Sequence, residues 1–189
     1  MEELSILEIH QLCIAMTNQI IQRLGWKDVS LHMLNNQQKE LLNAGNVNSV
    51  LNWKWAMDRY RDSFIDSILD LTIRVNELDE TEPVHAVILC KYDSCRSQFS
   101  LCMLENFIQH KRSALSGRTL KIALIYSTYF CEILGLDDIF IQDPTTEAQP
   151  RYAAYSFAQV WHDHAKISAD VTDVLHYLRA KLGSQGLVV

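Results

Sequence analysis

The chain has 189 residues, 48% of them hydrophobic and 21% charged, with 23 acidic against 17 basic side chains and a formal net charge of −6. That mixture excludes disordered and collagen-like classes and leaves an ordinary globular chain with material for one substantial core. The acid surplus repels phosphate backbones, so general nucleic-acid binding is not expected, and no apolar run approaches the ~20 residues of a membrane span.

In chain order, Leu4, Leu7, Leu12, Ile14, Ile20, Ile21 and Leu24 form a helical apolar stripe that ends at Gly25, a residue suited to a left-handed cap. Asn35 to Asn52 is rich in side chains that compete with the backbone for hydrogen bonds, which predicts turns around a short helix at 38–43. Leu51, Trp55, Met57, Tyr60, Phe64 and Ile68 then recur at spacings that favour a helix over 49–69, with Trp53 and Trp55 equally able to pack from an extended lead-in. Leu71, Ile73 and Val75 alternate with polar residues, 84–90 is a continuous apolar run, and 98–104 alternates again, so three short strands make a meander. A helix at 119–134 stopped by Gly135, a strand at 139–142, a helix near 146–155, a strand at 157–161 and a last helix at 168–182 follow. The expected architecture is mixed α/β (α+β), a single unit with a helical region at 1–69, a sheet region at 70–162 and a C-terminal helix and tail at 163–189.

Cys13, Cys90, Cys95, Cys102 and Cys131 are irregularly spaced and show no Cys-x-x-Cys pair, which fits reduced thiols and no metal centre. The opening Met1-Glu2-Glu3-Leu4-Ser5 is acidic where a secretory leader is basic. A soluble, cytoplasmic protein is expected.

Ser116-Gly117-Arg118-Thr119-Leu120-Lys121 opens the helix at 119. A glycine before a helix lets consecutive N–H groups converge on an anion, the helix N-terminus adds partial positive charge, and Arg118 and Lys121 add full charges. The same residues also read as a plain helix start with Ser116 as N-cap. His162-Asp163-His164 lacks a third metal ligand and reads as an exposed polar patch.

From 70 to 157 the order of parts resembles the GNAT superfamily of acyl-coenzyme A-dependent N-acyltransferases. Gly117 to Leu124 occupies the register of that family's Gln/Arg-x-x-Gly-x-Gly/Ala loop and helix, with Ala114 at the Gln/Arg position and Thr119 at the second small residue. Thr145-Thr-Glu-Ala148-Gln-Pro-Arg-Tyr152-Ala-Ala-Tyr-Ser156-Phe157 keeps the spacing of Asn-x-x-Ala-x-x-x-Tyr-x-x-x-Gly-Phe, with Thr145 and Ser156 replacing asparagine and glycine. The resemblance implies a central mixed sheet flanked by helices and acetyl-CoA held by Ser116, Gly117, Arg118, Thr119, Leu120 and Lys121. It also implies a pantetheine arm against the backbone of Leu101, Cys102 and Met103.

The activity that the resemblance implies is acetyl transfer to a primary amine by direct attack in a ternary complex, with Tyr152 as the acid that protonates the departing sulfur. Glu105, at the end of an apolar strand, is the first choice for a base, with a salt bridge or strand-end cap as its other reading. Asp143 and His110 rank behind it. The acceptor is a small molecule or a protein lysine or N-terminus, with a cationic amine favoured by the acid surplus. Trp53, Trp55, Tyr60 and Phe64 either line the acceptor side or pack in the core. Two other classes stay open: a GNAT-fold protein that binds CoA or a partner without turnover, and an α/β interaction protein with no cofactor. The last helix and the tail at 187–189 could dock on a second subunit as readily as on their own.

Overall fold

The computed structural model describes residues 4–60, 66–76 and 83–183. It runs α1 (Ile6–Arg23), β1 (Val29–His32), α2 (Asn36–Ala44), α3 (Trp53–Tyr60), β2 (Asp66–Val75), β3 (Ala86–Asp93) and β4 (Gln98–Asn106). Then come α4 (Thr119–Leu134), β5 (Asp138–Gln142), α5 (Gln149–Ala153), β6 (Ala158–Val160), β7 (Asp163–Asp170) and α6 (Val171–Leu182). The described strands form a seven-stranded sheet in the order β1-β2-β3-β4-β5-β7-β6, antiparallel throughout except for the parallel β4–β5 pair.

Alternation along β3 divides the core. Ala86, Ile88 and Cys90 point to one face, where they pack with α1, α4 and α6, while Val87 and Leu89 point to the other, against Leu42 of α2 and Trp53 and Ala56 of α3. α1 starts at a capping box in which the Ser5 hydroxyl and the Glu8 carboxylate satisfy each other's backbone N–H, the reciprocal cap that settles a helix start. α4 is buried along most of its length because α1 and α6 flank it. The Val171 N–H donates to Asp137 O just beyond the end of α4, at 2.8 Å, so α6 runs back along α4 and places the Lys181 ammonium over the Tyr155 ring.

The meander, the span of α4 and its Gly135 cap match the sequence reading. The differences lie at the margins of the sheet. The stretch 1–69 is not all helical: β1 pairs with β2 at the sheet edge, and β2 starts at Asp66, because alternation places Leu69 and Leu71 on the α1–α4 face beside Ile73 and Val75. Residues 163–170, expected to lead into a helix, form β7 between β5 and β6, and α6 starts three residues after Ser168. α5 covers five residues, with Pro150 in its first turn. Phe64 and the tail at 187–189 lie outside the described residues. No helix among the described residues is long and apolar enough to cross a membrane.

The five cysteines are free thiols. Burial pushes the Cys13 thiol up to about 12, so it behaves as a small hydrophobe. His10 of α1 is also buried, its Nδ1 2.6 Å from the Tyr126 hydroxyl of α4. Desolvation holds its pKa below the ordinary 6.5, against an opposing pull from Asp70. The unfolded chain therefore takes up this proton at a higher pH than the folded one, and stability falls as pH drops through about 6.5. Tyr126→Phe strands a buried imidazole nitrogen and is expected to cost roughly 1–3 kcal/mol, read as a melting-temperature drop of about 2–4 °C per kcal/mol. The acid-side loss of stability should be smaller in His10→Gln; an equal loss would show that His10 does not govern it.

Candidate cofactor cleft

β4 and β5 pair only at Phe99↔Ile139, Ser100↔Phe140 and Leu101↔Ile141. β4 continues to Asn106 on β3, whereas β5 ends at Gln142 and Asp143 turns away with φ +46. On the β4–β3 side the register steps from Leu89↔Met103 to Cys90↔Leu101. Cys102 is therefore the extra residue of a β-bulge, which bends β4 at the point where its other neighbour departs. Beyond Leu101 the β5-facing edge of β4 has no adjacent strand among the described residues.

The opening is the head of a cleft of about 1130 Å³, large enough for an extended ligand. Leu101, Cys102, Met103 and Leu104 form its floor, with Ser116, Gly117, Thr119, Leu120 and Lys121 on one side and Ala148, Tyr152 and Tyr155 on another. Of the site residues named from the sequence, Leu101, Cys102, Met103, Glu105, Ser116, Gly117, Thr119, Leu120, Lys121 and Tyr152 line this cleft and Arg118 does not.

The loop is built as an amide cradle. Gly117 has φ +70, a left-handed conformation that glycine adopts without strain. The Ser116 and Arg118 N–H groups are taken by Ser113 O and Leu115 O, and Ile122 starts the helical ladder on Arg118 O. The N–H groups of Gly117, Thr119, Leu120 and Lys121 meet no acceptor among the described residues, and no side chain caps α4. Ser116 is therefore not the N-cap; its hydroxyl accepts from the Ser113 N–H. Arg118 also departs from expectation. Its guanidinium donates to Ala114 O at 2.7 Å and stacks over Trp26, so Lys121 is the cationic side chain of the loop that lines the cleft.

Tyr152 sits on α5 with its ring edge-to-face against Phe157, centroids 6.1 Å apart. Burial pushes its phenol above the ordinary 10, with Arg151 opposing. Ser156, which replaces the pattern's glycine, has φ +74. The conformation that glycine serves is kept, and the Ser156 hydroxyl donates to Asp173 at 3.3 Å.

Glu105 lines the cleft and is 7% exposed. Its Oε1 accepts the Val50 N–H at 2.6 Å, and its Oε2 accepts the Leu51 N–H at 3.2 Å and Trp53 Nε1 at 2.7 Å. Both oxygens are thus occupied by donors, the strand-end capping that was the other reading of this residue. Trp53 is core, packed on Phe107, while Trp55 is exposed in the cleft wall. Asp143 lines the cleft and His110 lies elsewhere, in a smaller hollow beside Phe107. His162 and His164 are exposed. Sequence reading missed Val50, Leu51 and Lys181 as cleft residues; the bonds that place the first two join positions 55 and 54 apart in the chain, which local patterning does not reveal.

No protein-family model matches the sequence, and no curated protein matches it. Solved structures do match. An uncharacterized protein from Bacillus halodurans superposes with a TM-score of 0.55 at 7% identity over 83% of this chain and 91% of that one. A variant of the SpeG spermidine N-acetyltransferase from Vibrio cholerae gives 0.52 at 10% over 79% and 97%. AtaTR bound with AcCoA gives 0.52 at 13% over 79% and 98%. The fold is GNAT-like, a mixed sheet flanked by helices.

Ser156→Gly is expected to hold or raise the melting temperature, because relief of the left-handed strain offsets the lost hydroxyl contact. Ser156→Val should lower stability by roughly 1–3 kcal/mol. A Val variant as stable as wild type would remove the strain assignment.

Proposed function

We propose that the chain is an N-acyltransferase that moves an acetyl group from acetyl-CoA to a primary amine within a ternary complex. The observation that carries this reading is the coincidence, in one cleft, of the strand edge opened beyond Leu101 and the unpartnered amides of Gly117, Thr119, Leu120 and Lys121. A pyrophosphate needs converging N–H donors and nearby positive charge, and the loop with Lys121 supplies both. An extended pantetheine arm needs backbone partners along one side, and the edge of β4 at Met103 and Leu104, past the last β4–β5 pair, faces no adjacent strand among the described residues. The likeness to acetyltransferase structures supports the reading at the level of the fold.

In this mechanism the amine nitrogen forms its bond to the thioester carbonyl carbon as the carbon–sulfur bond breaks. Tyr152 gives its hydroxyl proton to the departing sulfur. Glu105, with both oxygens engaged, serves as a structural anion rather than the base. The bound ammonium first releases a proton to solvent in the open cleft to give the attacking amine, the new amide nitrogen releases a second after attack, and the Tyr152 phenolate regains its proton from solvent. The same reading assigns the protein to the cytoplasm, where its five free thiols stay reduced. A second reading, CoA binding without turnover, draws on that occupied carboxylate alone; amine-dependent release of free CoA separates the two.

At about 100 times its dissociation constant, acetyl-CoA should stabilise the fold by ~2.7 kcal/mol, and Gly117→Trp should abolish the shift by filling the cradle. An unchanged shift in that variant would overturn the loop assignment. Tyr152→Phe should lower kcat by about 10²-fold or more while leaving acetyl-CoA affinity unchanged. Because burial raises the phenol's pKa above the ordinary 10, the Tyr152-dependent loss of kcat should have its midpoint above pH 10. A loss below pH 9 that disappears in Tyr152→Phe would contradict it.

A further inference from the structure

The segment 45–52 enters α3 as a loop without regular structure, yet Glu105 of β4 holds it by two backbone N–H groups and by the buried Trp53 indole. Charge-assisted bonds of this kind are about twice as strong as neutral ones, so the loop is fixed to the strand that floors the cleft. Beside Asn52, two exposed apolar side chains of this segment and the first turn of α3 face the cleft: Val50 is 80% exposed and Trp55 46% exposed, and both line the cleft with Met103. The Trp55 N–H is tied to Asn52 Oδ1 at 3.0 Å, and the Arg59 guanidinium covers one face of its indole. Two large apolar side chains held in water on a pinned segment form a contact surface for a ligand.

The charge distribution selects the ligand. Among the described residues the one carboxylate on this lip is Glu105, already met by three donors. Across the opening the cleft is lined by the carboxylates of Asp143 and Glu147 and by the Arg151 guanidinium; Asp143 follows the last β4–β5 pair by two residues, and among the described residues its carboxylate accepts from the Gln142 amide alone. An acceptor lying between the lips would rest an apolar body on Val50 and Trp55 and turn its ammonium toward Asp143.

We propose that Val50 and Trp55 are the acceptor-binding wall of this site, set in place by Glu105 as a positioning residue, and that the acceptor is a primary amine carried on an apolar group. The proposal rests on the N-acyltransferase reading and narrows the cationic amine expected from net charge to an amphipathic one.

The test uses the full chain with acetyl-CoA and two probes, phenethylamine and spermidine, in wild type, Trp55→Ala and Glu105→Gln. Wild type should favour phenethylamine in kcat/KM by about tenfold or more, a difference of ~1.4 kcal/mol. Trp55→Ala should raise the phenethylamine KM about tenfold with kcat within about twofold of wild type. Glu105→Gln should move the same KM in the same direction, whereas loss of a purely structural contact would lower the melting temperature and leave that KM alone. Trp55 is a surface residue, so its variant keeps the test decisive if Glu105→Gln fails to fold. Preference for spermidine, or a KM unchanged in Trp55→Ala, overturns the proposal. So does acetyl-CoA binding with neither amine bound or turned over. Failure of acetyl-CoA itself to bind, measured separately by calorimetry, overturns the transferase reading first and the wall with it.

Discussion

The early end of β4–β5 pairing is the constraint that shapes this molecule. Two parallel strands that pair at three positions and then part leave a strand edge inside the protein rather than at its rim. Backbone polar groups in such a place require partners, and the fold arranges a cleft around them instead of another strand. The bulge at Cys102 bends β4 away, the left-handed Asp143 ends β5, and the N-terminus of α4 arrives at the opening with unpartnered amides.

Each surrounding element can be understood by how it holds that opening. α4 is fixed by its burial between α1 and α6, and the His10–Tyr126 contact joins α1 to it inside the core. β7 takes the far side of β5 through five register pairs, so β5 is anchored on the side away from the gap. Glu105 secures the opposite lip by an anion that reaches back to the segment before α3. A carboxylate that looks reactive in the sequence, because it ends an apolar strand, is thereby engaged in holding the lip.

The parts legible in the sequence were those with strong local signals: the alternation at 71–75 in β2 and at 98–104 in β4, the continuous apolar run of β3, and the apolar length of α4 between Gly117 and Gly135. β1 was not legible because four residues, Val-Ser-Leu-His, carry too little periodicity, and they become a strand only through pairing with β2. β7 was missed because Asp163 to Lys166 is polar and half-exposed, so only its later residues, Ile167 and Ala169, show the buried face. At the cleft, Gly117 and Tyr152 were named through the register of the family resemblance, and both line it. The direction of the Arg118 guanidinium depends on Trp26, 92 positions upstream, and the Glu105 contacts cross more than 50 positions. Ser156 shows the converse case, in which a residue departs from the pattern while the backbone keeps the conformation the pattern requires.

If the gap beyond Leu101 and the cradle at Gly117 bind one ligand, a crystal structure of the protein with acetyl-CoA will show it. Pantetheine amides should be hydrogen-bonded to the β4 backbone at 102–104, with the pyrophosphate on the N–H groups of Gly117, Thr119, Leu120 and Lys121. Acetyl-CoA bound away from the gap, or a gap filled by the protein's own chain with acetyl-CoA in saturating excess, would refute the shared site.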